Sequence, residues 1–569
     1  MSTNQTLISL LVQRINEDHS RPALVGKLGG QHESLTWGQL GDRVCQLAVA
    51  LIRSGVEPGD RVVQVSENRL EWIVCDLAIQ LARAVHVPLH ATLSGRQIVE
   101  QLIDSGAKKA FLSDRSQLTK LTAHIAELPT DLECWVFDSV DDCPGGVSVA
   151  SLAQLESRGD LSEAARVLKD AQQQVTSDTL ATLIYTSGTT GEPKGVMLTH
   201  GNFYSNTHAT IAAIDMARED HRLTFLPLSH VFARTCDLYT WLMIGYQLSL
   251  AESRETVLSD CQELKPTTLN GVPYFFDKVR RYLVSQQAEV ADGALRDLLG
   301  GRMRMCCSGG AALPEHVFDF YWQQQIPLLE GYGLTETSPV ITVSTPQHYR
   351  RKSAGRAISG VEIQIENEEI LTRGPHVMCG YYQKSAATQE VMRDGWFCTG
   401  DLGYLDDDGF LFITGRRKEL LVLASGKNVA PVYLESLLLE EPLIAQVLVV
   451  GDHRSFLSAL VVPDCELLKK KIHEQGQVSA GDLEQTWPSM LTDPRVIELF
   501  SSLIACQLSD VSHHEQVRRF SLLPDPFSID RGEVTAKLSL RREVIGEHYS
   551  AQIEAMYGTD WCGPVVTVE

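Results

Sequence analysis

The sequence lacks any long apolar segment. Its 569 residues contain no run of about 18 or more uncharged apolar residues, so the sequence predicts no membrane-spanning helix. The stretch MSTNQTLISLLVQRINEDHS also lacks a basic region followed by a long apolar core. Its apolar residues Leu7, Leu10, Leu11 and Ile15 recur at helical spacing, which favours an amphipathic helix over a signal peptide.

Paired cysteine motifs are also absent. The 13 cysteines are scattered, their number is odd, and none of them forms a C-x-x-C pair. This pattern argues against a disulfide framework and against a zinc site. We therefore interpret the cysteines as reduced thiols and expect a cytoplasmic protein.

Positive charge is scarce. The chain has 50 Lys and Arg against 72 Asp and Glu, which gives a formal net charge of -22. Such a surface repels nucleic acid phosphates and is not attracted to anionic lipid, so we expect no nucleic acid partner. An anionic ligand must therefore bind at a local positive site. The hydrophobic share of 44% is ordinary for a globular protein, and the length suggests more than one domain.

Alternating strands and helices are the main pattern that is present. Between Glu33 and about Asp114, helical segments such as RLEWIVCDLAIQLARA separate the apolar strands DRVVQVS, VHVPL and KAFLSD. This alternation resumes at TLATLIYTS and predicts parallel βαβ units. After about residue 355, short strands with Gly and Asp turns predict an antiparallel sheet or a small barrel.

A basic turn, Arg416-Arg417-Lys418, precedes a compact α+β pattern that includes PVYLESLLLEE and IAQVLVVG. We therefore predict an α/β fold with a domain boundary near residues 415–418. The first part is a large N-terminal domain of parallel βαβ sheets with a small β-barrel-like subdomain. The second part is a small α+β C-terminal domain.

The segment LIYTSGTTGEPKGVMLTH, residues 183–200, predicts a phosphate site. An apolar strand runs into a loop rich in Ser, Thr and Gly, in which glycines let backbone N–H groups face an anion and Lys194 adds charge. The loop is not a Walker A motif, because GxxxxGK[ST] is unmatched. A glycine-rich surface turn is the alternative reading of the same residues.

This segment resembles the phosphate loop of the AMP-forming acyl-CoA synthetases and their adenylate-forming relatives. The resemblance continues in the family's order through FLPLSHVFAR, KPTTLNGVPYFFDKV, CCSGGAAL, EGYGLTET and WFCTGDLGYLDDDGFLFITGRRKELLVLASGKNVAP. The segment SGKNVAPVYLE and the tail EVTAKLSLRREVIGEHYSAQIEAMY resemble the long-chain fatty acid–CoA ligase branch. The family implies an AMP-binding domain over residues 1–415, a hinge over 416–418 and a mobile C-terminal domain over 419–569.

The resemblance also implies the site residues. Catalytic roles fall on Thr186, Lys194, His230, Thr335, Glu336 and Lys537. Nucleotide and coenzyme contacts fall on Ser187, Gly188, Thr189, Thr190, Gly191, Ser308, Gly309, Gly310, Ala311, Gly331, Tyr332, Gly333, Asp401, Arg416 and Gly426, with Lys418 at the hinge and Glu336 as the metal ligand. A carboxylate suits Mg²⁺, and a carboxylate paired with arginine suits ribose hydroxyls.

Several of these residues have ordinary structural readings. Asp401 in the TGD segment could simply form a turn, and a single histidine such as His230 is more often structural than catalytic. Gly309 and Gly310 alone would indicate only a turn, and Lys418 could belong to a basic surface turn.

The family's reaction has two steps and uses ATP, Mg²⁺ and coenzyme A. A carboxylate attacks the α-phosphate of ATP to give acyl-AMP and pyrophosphate, and the thiol of coenzyme A then displaces AMP. The resemblance implies a long-chain fatty acid as substrate. We expect the walls of the acyl cavity to include parts of 229–243, 271–276 and 306–312, where Phe275 and Phe276 could limit the chain length. Such a substrate partitions into membranes and allows weak peripheral contact at the cytoplasmic face.

The tail segment GEVTAKLSLRREVI, residues 532–545, departs from the family pattern. An ungapped alignment puts the family's catalytic lysine at Ser539, and the lysine of this chain is Lys537. In an extended segment, residues two apart face the same side, so Lys537 could serve. The alternatives are a fatty acyl-AMP or acyl-carrier-protein ligase, or a nucleotide-binding homologue impaired in adenylation. No feature of the sequence points to a particular oligomeric state.

Overall fold

A computed structural model of the chain describes residues 5–28, 31–138, 147–187, 192–286, 290–474, 487–528, 530–534, 540–559 and 561–566. The helices are α1 (Leu7–Glu17), α2 (Trp37–Arg53), α3 (Leu70–Leu81), α4 (Gly95–Ser105), α5 (Arg115–Thr122), α6 (Leu152–Glu156), α7 (Ala164–Gln174), α8 (His200–Ala213), α9 (Val231–Ala233), α10 (Thr240–Ile244), α11 (Val257–Leu264), α12 (Pro273–Gln286), α13 (Ala294–Leu298), α14 (Glu315–Gln323), α15 (Ser385–Val391), α16 (Pro431–Leu438), α17 (Cys465–Glu474), α18 (Trp487–Met490), α19 (Pro494–Gln507), α20 (Arg542–His548) and α21 (Ser550–Tyr557). A π-helix, Arg234–Tyr239, joins α9 to α10, and short 3-10 helices include Thr335–Thr337 and Arg417–Glu419.

The strands are β1 (Pro22–Leu28), β2 (Gln31–Thr36), β3 (Arg61–Val65), β4 (Val85–Leu89), β5 (Lys109–Leu112), β6 (Glu133–Val136), β7 (Ser148–Ser151), β8 (Leu180–Ser187), β9 (Pro193–Thr199), β10 (His221–Thr224), β11 (Gln247–Leu250), β12 (Thr268–Gly271), β13 (Met305–Gly309), β14 (Leu328–Gly333), β15 (Val340–Val343), β16 (Arg356–Ala357), β17 (Glu362–Glu366), β18 (Glu369–Arg373), β19 (Gly380–Tyr381), β20 (Met392–Arg393), β21 (Trp396–Leu405), β22 (Leu411–Arg416), β23 (Leu421–Val422), β24 (Asn428–Val429), β25 (Ile444–Val450), β26 (Leu457–Pro463) and β27 (Val517–Leu522).

An eight-stranded sheet in the order β19-β9-β8-β4-β3-β5-β6-β7 contains the first predicted βαβ units. The strands from β8 to β7 in this order pair in parallel, whereas β9 and β19 pair antiparallel at one edge. The helix α2 ends just before Gly55, whose φ of +80° is a backbone conformation that glycine adopts without strain. The predicted parallel α/β fold is confirmed here.

A nine-stranded sheet in the order β16-β15-β14-β13-β12-β10-β11-β1-β2 forms the second large layer. Its central strands β14, β13, β12, β10, β11 and β1 are parallel, and the strands at both edges are antiparallel. The carboxyl ends of β13 and β14 therefore meet at one edge of the sheet. In parallel α/β sheets, ligands bind at this edge.

The largest hydrophobic core lies among α1, α2, α3, α7, α8 and the α9–α10 segment, together with strands of both large sheets. Trp37 of α2 stacks on Trp241 of α10 with ring centroids 4.4 Å apart. The predicted amphipathic helix at the amino terminus is α1, which begins with a capping box between Thr6 and Ser9. Burying the apolar faces of these helices against the strands holds the two large sheets in one layer arrangement.

The segments after residue 355 form the smaller sheets. β17, β18, β20, β21 and β22 form a five-stranded antiparallel sheet, which is the predicted small subdomain. Further on, β25, β26 and β27 form a three-stranded sheet that packs with α16 and α19 around a hydrophobic cluster of its own. This cluster gives the last part of the chain an independent core.

Ion pairs join this last part to the large sheets. Arg281 of α12 contacts Asp464 with its guanidinium 2.6 Å from the carboxylate. His316 of α14 lies between Asp277 and Glu440, at 3.3 Å and 3.2 Å. Burial opposes the charged imidazole, but the hydrogen bonds to these two carboxylates outweigh it and raise the pKa of His316.

Within the part of the chain that the structure describes, no helix is long and apolar enough to cross a membrane. The twelve cysteines in those same ranges are all free thiols, and most of them are buried.

Candidate active site

A cavity of about 540 Å³ opens where the carboxyl ends of β13 and β14 meet the β8–β9 hairpin and the hinge segment. Its lining contains these predicted residues: Thr186, Lys194, His230, Ser308, Gly309, Gly310, Gly331, Tyr332, Gly333, Thr335, Glu336, Arg416 and Lys418. Segments far apart in sequence are therefore brought together around one space.

One side of the cavity is formed by the β8–β9 hairpin. Thr186 of β8 pairs with Lys194 of β9 across the hairpin. The sequence analysis put Lys194 in the loop, but it lies on β9, because the antiparallel pairing extends to the end of the hairpin. The Lys194 Nζ lies over the ring of Tyr381, 5.2 Å from its centroid.

Five further predicted residues belong to the loop between these strands or to its edge. Gly188, Thr189, Thr190 and Gly191 lie outside the described residues, and for Ser187 only the backbone position on β8 is described. The hairpin nevertheless positions one lysine and one threonine at the cavity, which is the donor chemistry that a phosphate needs.

A second side of the cavity follows β14. Thr335 and Glu336 lie on the 3-10 helix Thr335–Thr337, and the Tyr381 hydroxyl donates a hydrogen bond to Glu336 Oε1 at 2.9 Å. Burial and the charge of Glu336 raise the pKa of Tyr381. The sequence analysis missed Tyr381, which reaches the site only because β19 pairs with β9.

The donor set fits Mg²⁺ in a particular way. No cluster of three His, Cys, Asp or Glu side chains suitable for a metal occurs within the described ranges. Three glutamates line the cavity: Glu336, Glu369 and Glu390. Glu369 is paired with Arg417, whereas Glu336 lies next to Tyr381, close to Lys194. Mg²⁺ is commonly held by one or two carboxylates together with substrate phosphates, so Glu336 would share the ion with a bound nucleotide.

Behind the part of the cavity wall formed by Tyr332 and Arg416 lies a buried carboxylate, Asp401, with two partners. Asp401 accepts hydrogen bonds from the Tyr332 hydroxyl at 2.7 Å and from Arg416 Nε at 2.7 Å. The charge of Asp401 raises the pKa of Arg416, and burial raises the pKa of Tyr332. A carboxylate has about four acceptor sites, so Asp401 can still accept from ligand hydroxyls.

The inner side of the cavity lies between the nine-stranded sheet and helices. His230 caps α9 and accepts from the Phe232 amide at 3.3 Å. The inner lining continues along α8 and the strands with Thr210, Ile214, Met216, Arg222, Cys236, Asn270 and Cys307. Thr210 and Ile214 are four residues apart, so they share one face of a helix. This spacing is the sequence signal that could have predicted that one face of α8 lines the cavity.

The expectation that Phe275 and Phe276 limit the acyl chain was wrong. Both residues pack with Tyr321 and Phe225 in a separate hydrophobic cluster on the other side of β12. Phe276 lies in the first turn of α12, and its ring is fully buried in this cluster and not at the cavity.

Residues 416–418, the predicted hinge, border the cavity. Arg417 lies 3.0 Å from Glu369, whose side chain is only 4% exposed. Glu369 also accepts from the Gly400 amide at 3.2 Å. These contacts tie the start of the hinge to the five-stranded sheet.

The remaining predicted residues are Ala311, Gly426 and Lys537. Ala311 is exposed next to Gly310. Gly426 lies between β23 and β24 with a φ of +80° and open space around it. Lys537 lies outside the described residues.

Comparison with protein families gives two matches along the chain. The family described as AMP-binding enzyme matches residues 11–382, and its C-terminal domain matches residues 418–560. The chain belongs to the AMP-binding enzyme family, as one of its AMP-forming acyl-CoA synthetases.

Curated relatives are named as ligases of long-chain fatty acids. The chain is 33% identical to the long-chain-fatty-acid–CoA ligase FadD15 of Mycobacterium bovis, with 94% of each chain covered. It is 27% identical to the long-chain-fatty-acid–CoA ligase ACSBG2 of Rattus norvegicus, with 98% of this chain and 93% of the relative covered.

A solved structure has the same fold. The anthranilate CoA ligase AuaEII in complex with anthranoyl-AMP aligns with a TM-score of 0.79 at 18% identity, covering 97% of this chain and 99% of that chain.

Proposed function

We propose that this acyl-CoA synthetase activates a long-chain fatty acid with ATP and Mg²⁺, and transfers the acyl group from acyl-AMP to coenzyme A. The observation that carries the proposal is the continuity of one cavity. The cavity extends from Lys194, Glu336 and Arg416, which is paired with Asp401, to an inner space between α8 and the nine-stranded sheet. The names of the curated relatives support the choice of a long-chain acid.

The first half-reaction brings negative charges together, so positioned positive charge and hydrogen-bond donors supply its catalysis. Thr186 and Lys194 would bind the phosphates, and Thr335 would donate to the α-phosphate. Mg²⁺ held by Glu336 would neutralise charge that develops on the phosphate oxygens. Asp401 and Arg416 would orient the ribose, and His230 would hold the carboxylate near the α-phosphate.

The second half-reaction requires a thiol to reach the adenylate. We propose residues 1–415 and 419–569 as two domains and 416–418 as the hinge between them, with Lys418 absorbing the backbone change. Gly426 would then leave room for the pantetheine arm, because its surroundings are open. Lys537 would serve the first half-reaction from the C-terminal domain.

A panel of short-, medium- and long-chain carboxylic acids tests the proposal. Each acid is incubated with ATP, Mg²⁺ and coenzyme A, and both pyrophosphate and thioester are measured. We expect both products, with the highest kcat/KM for long-chain acids. The variant Glu336→Gln is the control and should lower pyrophosphate release with every acid. Activity with none of the acids would refute the proposal, and pyrophosphate without thioester would favour the acyl-AMP ligase.

A further inference from the structure

The inner end of the cavity carries a buried arginine. Arg222 lies on β10, where only 2% of the residue is exposed, and it lines the cavity. Strand pairing places Arg222 beside Thr268 and places Asn270 beside Cys307. Because side chains alternate along strands, residues 222, 268 and 270 project from the same face of the sheet. An acyl chain that fills this part of the cavity therefore meets a guanidinium group.

The guanidinium spans from the sheet to the π-helix. Arg222 Nε donates to Thr268 Oγ1 at 3.1 Å. One terminal nitrogen donates to the Cys236 carbonyl and, at 3.2 Å, to Asp237 Oδ1. These contacts fix the position of the charge, and Asp237 neutralises it. The Arg222 side chain cannot move away from Asp237 without leaving a buried charge unpaired.

Asp237 is in turn held by the strands. It accepts a hydrogen bond from Thr224 Oγ1 at 2.6 Å and another from Asn270 Nδ2 at 2.6 Å. A carboxylate only accepts, so the amide of Asn270 must turn its nitrogen toward Asp237. The Asn270 Oδ1 is therefore left as an acceptor in a residue that lines the cavity.

The second terminal nitrogen of Arg222 has donor capacity to spare. Among the described residues, its hydrogen-bond partner is the Met216 sulfur at 3.9 Å. A thioether is a weak acceptor, and this nitrogen carries two N–H groups. Met216 lines the cavity together with Arg222. A buried donor with such a weak partner is well suited to an oxygen atom brought in by a ligand.

We propose that Arg222 is a specificity-determining residue that donates a hydrogen bond to a neutral oxygen on the distal part of the acyl chain. The substrate class is then a hydroxy- or oxo-substituted long-chain acid. A second carboxylate is disfavoured, because Asp237 already neutralises Arg222. The inference rests on the proposed function and narrows its substrate class from long-chain acids to those with a hydroxy or oxo group.

The test compares matched acids. Positional isomers of one hydroxy-substituted long-chain acid, the corresponding oxo acids, the unsubstituted acid and the dicarboxylic acid of the same length are assayed for thioester formation with the full chain. We expect at least one substituted isomer to exceed the unsubstituted acid in kcat/KM by about 10- to 100-fold, the value of one hydrogen bond to a charged group. The dicarboxylic acid should be the poorest substrate.

Two variants separate recognition from structure. The double variant Arg222→Met with Asp237→Asn removes both charges, so neither is left unpaired. We expect it to lose the preference for the substituted isomer while it still converts the unsubstituted acid. The matched control is Met216→Leu, which keeps the volume and should retain the preference. Thermal unfolding of all variants establishes that they are folded.

The outcomes are distinguishable. If unsubstituted acids form thioesters and no substituted isomer is preferred, the inference fails and the proposed function stands. If the double variant keeps the preference, Arg222 is not its source and the inference also fails. If no acid forms a thioester, the proposed function itself fails.

Discussion

Tyr381 connects two charged residues of the cavity that belong to different sequence motifs. Its hydroxyl donates to Glu336 at 2.9 Å, and its ring lies 5.2 Å from Lys194 Nζ. The tyrosine is itself buried, with 7% exposed, so its position is set by packing. One side chain thus orients both the carboxylate that would share Mg²⁺ and the cation that would bind phosphate.

The variant Tyr381→Phe should therefore weaken Mg²⁺-dependent adenylation. It keeps the ring under Lys194 but removes the hydrogen bond to Glu336, and a bond to a charged group is worth about 10- to 100-fold. We expect the KM for Mg·ATP to rise more than kcat falls. Tyr381→Leu should be worse, because it also removes the cation–π contact. An unchanged Mg²⁺ titration in Tyr381→Phe would rule out this role.

Lys537 allows a sharper test of the first half-reaction. If it supplies the positive charge, Lys537→Ala should lower acid-dependent pyrophosphate release by about 10²- to 10³-fold. Thioester formation from supplied acyl-AMP should persist, because the proposed second step would use another domain orientation. If the charge is instead missing, Ser539→Lys should raise the adenylation rate. Normal adenylation by Lys537→Ala would exclude this lysine.

At the scale of elements, the approach of β14 to β15 sets the turn that carries Thr335 and Glu336. Gly333 ends β14 so close to the next strand that a Cβ atom would lie 1.6 Å from the Pro339 carbonyl oxygen. Backbone cannot move aside as a flexible side chain can. Any residue larger than glycine must therefore displace the turn.

The variant Gly333→Ala should lower adenylation on the order of 10²-fold, because a displacement of about 1 Å at a catalytic group costs this much. Pyrophosphate release measures it. The matched control is Gly546→Ala in α20, where no heavy atom lies within 4 Å of the added Cβ. The control should keep full activity. Equal activities in both variants would show that the close approach at Gly333 does not matter.

Helices and strands whose apolar residues recur at a regular spacing could be predicted from the sequence. β3 to β5 and their helices follow from local alternation, and the residues at the ends of β13 and β14 follow from family motifs. The π-helix could not be predicted, because a shift in backbone hydrogen bonding leaves no apolar period. Arg222 and Tyr381 were missed because strand pairing, and not sequence proximity, brings them to the cavity.

At the scale of the whole molecule, four buried histidines occur on strands, at a helix start and in a loop. Burial is the main cause that lowers the pKa of each histidine. The pKa falls to about 4 for His86, His221 and His376, and to about 3 for His200. A lowered folded pKa contributes stability above the unfolded value, near 6.5, and that stability is lost as pH falls toward the folded pKa.

Acid should therefore unfold the molecule. Protonating one histidine whose pKa falls from 6.5 to about 4 costs about 3 kcal/mol of the free energy of unfolding. This is a large part of the about 5–15 kcal/mol typical of a domain. Urea midpoints should be clearly lower near pH 5 than near pH 7, and His200→Gln should reduce the difference. Equal midpoints at the two pH values would contradict this.

The buried Glu369 has a mechanical consequence for the proposed rotation. Its ion pair with Arg417, at 3.0 Å, fastens the first hinge residues to the five-stranded sheet. A swivel that began before Arg417 would have to expose a carboxylate whose side chain is 4% exposed. In the proposed rotation, the pivot would therefore fall immediately after Arg417, and Lys418 would be the first residue to move.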